Sequence, residues 1–380
     1  MVLNGIDRIE EFDSLFLNRR LGLLTAPAGL NRELRSSIDV LGERYDLRRL
    51  YAPEHGIRGE QMAGQIVKDS RDLVTGLPVY SLYQEKTRRM TEEMLEGIDT
   101  VVVDLQDVGA RFYTFLYTMM YAMEACSKFE KEFVVLDRIN PLGGRLVEGN
   151  LIQERKRSFV GDYPLTIRYG LTIGELAGMM HEEMELDGEF HVVPLEGWKR
   201  DMLFPETGRI WVAPSLNLPR FDAALLYPGT CLFEGTNLSE GRGTASPFDT
   251  VGAPYVDGRD FAAVMNKMGI PGVKFRPVFF VPTVSKHAGC LCQGVQIHVT
   301  DVQALRPVEV GVRMIYALKE RYEEFRFLET KEGEALAYVD VLSGDDDMTD
   351  ESVDVETLLE KYRKDSRQFQ ERKQKFHLYR

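Results

Sequence analysis

No run of about 18 apolar residues occurs in the 380-residue chain, so the sequence contains no candidate membrane-spanning helix. The opening stretch, MVLNGIDRIEEFDSLFLNRR, alternates charge with hydrophobe and lacks the apolar centre of a signal peptide. The cytoplasm is therefore the expected compartment, with secretion as the alternative if a leader has been removed. Cysteine is scarce. Cys126, Cys231, Cys290 and Cys292 are too few and too unevenly spaced for a disulfide framework, and Cys290-Leu291-Cys292 has no second pair to complete a zinc site. Positive charge is in deficit: 47 Lys and Arg stand against 60 Asp and Glu, a net −13, with part of the excess in DDDMTDESVDVE at 345–356. Such a surface repels phosphate backbones and anionic headgroups, so neither nucleic acid nor membrane is an expected partner. A small neutral or weakly acidic ligand is compatible where local arginine or lysine counters the field.

Signatures of the commoner chemistries are missing as well. The turn after the first apolar strand reads Thr25-Ala26-Pro27-Ala28-Gly29-Leu30, without G-x-G-x-x-G. Pro27 and Ala28 occupy the place where a pyrophosphate approaches backbone amides. Gly143-Gly144 lacks a third glycine opening a helix, and no G-x-x-x-x-G-K-[ST] occurs. His181-Glu182-Glu183-Met184 resembles the start of a zinc helix, but Glu185 stands where the second histidine belongs, so the segment reads as a solvated helix face. There is no G-x-S-x-G elbow for serine chemistry.

What is present is an ordinary globular balance, 44% hydrophobic and 28% charged, over a length that suits two domains. The first 150 residues alternate strand and helix patterns. Strands buried on both faces are expected at 21–25, 48–52, 79–82, 101–105 and 133–136, and helices at 31–45, 86–96 and 112–130. That alternation predicts an α/β fold: a Rossmann-like parallel-sheet N-terminal domain, ligands gathering at its carboxyl edge. Thr172 and Glu175 have capping-box spacing before TIGELAGMMHEEM. Strands are expected at 190–194, 210–213 and 223–227, then a smaller α+β unit with strands near 273–281 and 294–299 and helices near 307–322 and 354–375. The division is expected at 1–240 and 241–380.

Four of the five expected N-terminal strands run out into a polar knot: TAPAG, APEHG, DLQDVGAR and LDRINPLGG. Glu54 stands just past a strand, beside His55. Asp104 and Asp107 precede Arg111; they suit either a ligand site or a structural ion pair, and both readings stay open. The stretch 233–244 (FEGTNLSEGRGT) offers Glu234, Asn237, Glu240 and Arg242 on a backbone freed by glycine. Carboxylates, amides and hydroxyls without a metal or phosphate signature fit glycoside hydrolysis. One acid protonates the leaving oxygen and a second group manages the oxocarbenium-like transition state. Activity is accordingly expected to need no cofactor. It should survive EDTA and proceed without NAD, and loss on chelation restored by a single divalent ion would overturn this.

Six ordered stretches carry a resemblance: PEHGIRGE (53–60), DLQDVGARFYTF (104–115), LDRINPLGGRLVEGN (136–150), SFVGDYPLTIRYGLTIGELA (158–177), YPGTCLFEGTNLSEGRGT (227–244) and FRPVFFVPTVSKHAGCLCQGVQIHVTD (275–301). In these the chain resembles the NamZ-type exo-β-N-acetylmuramidases, from about residue 20 to its C-terminus. The resemblance implies release of N-acetylmuramic acid from the non-reducing end of peptidoglycan fragments. It also implies a cleft between a Rossmann-like domain and a smaller C-terminal one. Glu54 is the implied leading catalytic residue, His55 its tuning neighbour, and Glu234 and Glu240 are the implied further acids. Muramic acid carries a lactyl carboxylate, which calls for a cation; Arg242 is the first choice, followed by Arg58, Arg111 and Lys286. Asp104, Asp107, Asn237 and His287 complete the expected substrate contacts. The competing readings are a non-catalytic cell-wall sugar-binding protein, which needs no apposed acids, and a sugar deacetylase or lyase.

Overall fold

The structure is a computed structural model and describes residues 1–58, 69–84, 88–330 and 336–380. Its N-terminal part comprises β1 (Arg20–Thr25), α1 (Ser37–Arg44), β2 (Asp46–Ala52), β3 (Ser70–Arg71), β4 (Pro78–Ser81), α2 (Glu92–Leu95), β5 (Thr100–Asp104), α3 (Phe115–Lys128), β6 (Glu132–Leu136), α4 (Ile173–Glu183) and β7 (Phe190–Val193). The apolar runs are strands with two buried faces. In β5, Val101 and Val103 join the core beneath α3 and α4, while Val102 joins the core beneath α1; in β6, Phe133 and Val135 divide from Val134 and Leu136 in the same way. Side chains alternate across a strand, so a sheet covered on both sides needs hydrophobes at every position.

The seven strands run in the order β3-β4-β2-β1-β5-β6-β7, with parallel pairing except at β3/β4. The order reverses between β1 and β5, which makes that edge the topological switch point. The capping box before α4 forms as its spacing predicts: Glu175 N donates to Thr172 Oγ1 at 3.2 Å and Thr172 N to the Glu175 carboxylate at 3.1 Å.

The C-terminal part contains α5 (Phe221–Thr230), β8 (Thr250–Ala253), α6 (Gly258–Met268), β9 (Val273–Phe280), β10 (Cys292–Val299), α7 (Pro307–Arg321), α8 (Tyr338–Ser343) and α9 (Val355–Arg372). A three-stranded antiparallel sheet, β8-β10-β9, packs on α6. Helices α5 and α7 cross in close contact at glycines. A Cβ on Gly229 would stand 1.8 Å from the Pro307 carbonyl oxygen, and one on Gly311 2.3 Å from the Gly229 oxygen.

Two expected strands are not strands. Residues 210–213 are irregular, and 223–227 lie inside α5. The reason for the second error is burial: Ala223 to Pro228 are all buried, so the run shows no periodicity to separate helix from strand. Three expected helices are shorter than their patterns. Residues 31–36 form turns before α1, α3 begins at Phe115, and α2 covers only 92–95 of the stretch 86–96, whose residues 86 and 87 lie outside those described. Strand β8 and helices α6 and α8 were not anticipated.

Candidate active site

At the carboxyl end of β2 the backbone reverses through two consecutive left-handed residues, His55 at φ 77° and Gly56 at φ 76°. Glycine adopts that conformation freely, whereas for histidine it costs on the order of 1–3 kcal/mol and persists only where neighbours enforce it. The neighbours here come from the start of α3. Thr114 donates its hydroxyl to Glu54 Oε2 at 2.7 Å, and the His55 ring meets Phe115 edge-on at 6.3 Å between centroids. The reversal thus holds a largely buried Glu54 against the N-terminus of α3. Tyr83, just past β4, lies close to the same carboxylate. Burial lifts its phenol pKa, the charge of Glu54 adds to the rise, and Arg88 opposes it.

These residues help to line an open cleft. The lining also draws on α5, the turn after it, the stretch to Phe248, the 284–285 segment and α8, with Tyr227, Glu234, Arg242 and Tyr338 among its residues. Among the described lining residues the carboxylates are Glu54 and Glu234, and the arginines are Arg88 and Arg242.

Glu234 accepts from Arg242 Nη2 at 2.6 Å. Behind it Glu240, almost fully buried, pairs with Arg242 Nε at 3.2 Å and with Lys286 Nζ at 2.9 Å. The turn that permits this has Gly241 and Gly243 at φ 81° and 76°. Arg242 also lies over the Phe248 ring, 5.1 Å from its centroid. Burial alone would lower its pKa, but the Glu234 and Glu240 carboxylates together drive it above the ordinary value. Lys286 further donates to the carbonyls of Phe233 at 2.6 Å and Thr236 at 2.9 Å, so it shapes the loop from behind.

The remaining expected residues do not line the cleft. Asn237 donates to the Glu324 carbonyl at 2.7 Å and accepts from Tyr255 at 2.7 Å and Arg326 N at 3.0 Å; the His287 ring contacts the Asn237 carbonyl at 2.6 Å. Both tie the loop to the C-terminal unit. Arg58 forms a two-pronged pair with Asp72 at 2.6 and 2.9 Å. Asp104 is gripped by Arg138 at 2.6 and 2.7 Å with both groups buried, which realises the ion-pair reading with a partner other than Arg111. Asp107 accepts from Gly109 N at 2.6 Å and from the Tyr169 phenol, and burial raises its pKa to about 6. Arg111 is fully buried and donates only to backbone carbonyls. Among the described residues no group of three or more His, Cys, Asp or Glu is placed to hold a metal ion, and no helix is long and apolar enough to cross a membrane.

Sequence reasoning passed over Tyr83, Arg88, Tyr113, Thr114, Phe159 and Tyr338. The strand-end rule that found Glu54 would also have found Tyr83, and Tyr113 and Thr114 stand inside a motif already singled out. Phe159 likewise stands inside a stretch already singled out (158–177), whereas Tyr338 reaches the cleft only through tertiary packing and leaves no local signal.

The N-terminal NamZ family description, "Exo-beta-N-acetylmuramidase NamZ, N-terminal", matches residues 21–222, and its C-terminal counterpart matches 225–379. "Peptidoglycan beta-N-acetylmuramidase NamZ" of Bacillus subtilis (strain 168) is 42% identical over 382 residues, spanning 100% of this chain and 91% of its own length. A crystal structure of a DUF1343 family protein from Bacteroides fragilis superposes with a TM-score of 0.90 at 35% identity, covering 100% of this chain and 99% of that one. A second DUF1343 structure from the same organism gives 0.78 at 26% identity, with coverage of 100% and 99%.

Proposed function

Because the chain belongs to the NamZ family of exo-β-N-acetylmuramidases, we propose that Glu54 and Glu234 divide the acid–base work of glycoside hydrolysis in the cleft. The enzyme is a glycoside hydrolase that releases N-acetylmuramic acid from the non-reducing end of peptidoglycan fragments. The observation that carries the assignment of roles is the lining itself, where Glu54 and Glu234 are the carboxylates among the described residues. Glu54, oriented by Thr114, protonates the leaving glycosidic oxygen. Glu234, held by Arg242, supplies the negative group that faces the developing positive charge. His55 positions Glu54 through the strained reversal, and Glu240 and Lys286 position Arg242.

Incubation with 4-nitrophenyl β-N-acetylmuramide tests the reading: nitrophenolate is expected to be released. Tight binding without release would return the chain to the sugar-binding alternative, which family membership disfavours. We further propose action on recycled wall fragments and a functional division at 1–240 and 241–380, with residues of both parts lining the cleft.

Arg242 now takes a different role from the one first expected of it. Arg242→Ala removes one of two cations from buried Glu240 and the partner of Glu234. Unfolding free energy should fall by about 1.5–3 kcal/mol, the range for hydrogen bonds to charged groups. Hydrolysis of chromogenic muramide and glucosaminide should drop alike. A KM rise confined to the muramide would instead restore Arg242 as the receptor for the lactyl group.

A further inference from the structure

Resting on the muramidase reading, we propose that Arg88 binds the lactyl carboxylate of N-acetylmuramic acid and so sets the selectivity of the enzyme. Of the two arginines among the described lining residues, Arg242 is committed to Glu234 and Glu240. Arg88 has no carboxylate partner among the described residues. Its guanidinium carbon lies over the rings of Phe159 and Tyr83, 3.9 Å and 4.9 Å from their centroids. Phe159 is itself fixed among aromatics, 5.7 Å from Tyr83 and 6.1 Å from Tyr121 between centroids. A guanidinium lying against two rings is positioned and partly dehydrated, and its five N–H donors exceed what one phenol can take up. That is the arrangement for two parallel hydrogen bonds to a carboxylate. In a protein of net charge −13 an anionic sugar needs such a local cation.

Position supports the assignment. Tyr83 lies against both Arg88 and Glu54, so a single side chain separates the cation from the proton donor. In the substrate the lactyl ether and the scissile bond sit on the same pyranose ring, at C3 and C1. A ring placed with its glycosidic oxygen at Glu54 therefore carries its carboxylate towards the neighbour of that glutamate. The stacked rings also offer an apolar surface to the lactyl methyl group.

The test compares 4-nitrophenyl β-N-acetylmuramide with its lactyl amide, which keeps the shape and loses the charge. The wild-type enzyme should prefer the acid by roughly ten- to a hundredfold in kcat/KM, the discrimination expected of a desolvated charge-assisted pair. Arg88→Met keeps the packing against Phe159 and should abolish that preference by lowering kcat/KM for the acid alone. Arg88→Lys keeps the charge without the planar fork and should retain part of the preference; it carries the test if the methionine variant fails to fold. An acid-to-amide ratio unchanged in either variant overturns the assignment, because a purely structural role for Arg88 would weaken both substrates equally. A wild-type enzyme that cleaves acid and amide equally overturns carboxylate recognition while leaving hydrolysis intact. A wild-type enzyme inert on both would sink the muramidase reading and this proposal together.

Discussion

Glu54→Gln lowers kcat by about 10²–10⁴-fold, the usual contribution of a positioned general acid or base, and leaves the fold as it was. Glutamine fills the same volume, and its amide oxygen still accepts from Thr114, which now donates to Glu54 Oε2 at 2.7 Å. The amide has no proton to give to a leaving alkoxide. The deficit should depend on the leaving group. Nitrophenolate departs with little help, so the chromogenic muramide understates the loss and a natural disaccharide shows it in full. Single-turnover rates on both substrates, with a circular-dichroism check of folding, measure the effect. A variant that keeps more than about half of the wild-type kcat, far short of the usual general-acid range, would remove Glu54 from the mechanism. Equal losses on the two substrates would move it from acid to nucleophile or base.

How Glu54 came to be legible while other residues did not has a physical explanation. A parallel sheet buried on both faces announces its strands as apolar runs, and the ends of those runs mark the active edge. Glu54, one residue beyond the turn at Pro53, was visible on that ground alone. Side-chain direction after the strand end is another matter. Phe112, Tyr113 and Thr114 line the cleft, whereas Arg111, their immediate neighbour, points into the protein, and nothing local distinguishes them. Asp104 and Asp107 were placed at the right edge for the same reason, but Arg138 and Tyr169, reached only through tertiary packing, absorb them. Arg88 shows the opposite failure. Its environment is made by Tyr83 nearby and Phe159 from a distant loop, so its sequence surroundings carry no hint of a site. The apolar run in α5 failed for want of periodicity, since burial on all sides erases the pattern on which helix and strand assignments depend.

Arg111→Met separates the two readings of the DLQDVGAR motif. In the structure its guanidinium is wholly buried and donates to the carbonyls of Asn150 at 2.7 Å, Leu165 at 2.8 Å and Leu342 at 3.1 Å, and to that of Ser343. Two of these carbonyls belong to the loops after β6 and two to the end of α8, so one side chain joins the two parts of the chain. Burial lowers the Arg111 pKa, with the Tyr117, Tyr362 and Asp345 groups opposing the shift, and carbonyl dipoles supply most of its solvation. Methionine fills similar space but leaves those carbonyls without donors inside the protein. The expected loss of unfolding free energy is about 1–3 kcal/mol for each carbonyl left unsatisfied, several kcal/mol in all. Against a total of about 5–15 kcal/mol for a natural domain, that loss is large. It should show as a lowered urea midpoint with an unchanged slope. Well below the transition, KM for the muramide should stay near the wild-type value, because Arg111 does not itself line the cleft and meets it only at the Leu342 carbonyl. Normal stability combined with a raised KM would refute the structural role and return Arg111 to the substrate.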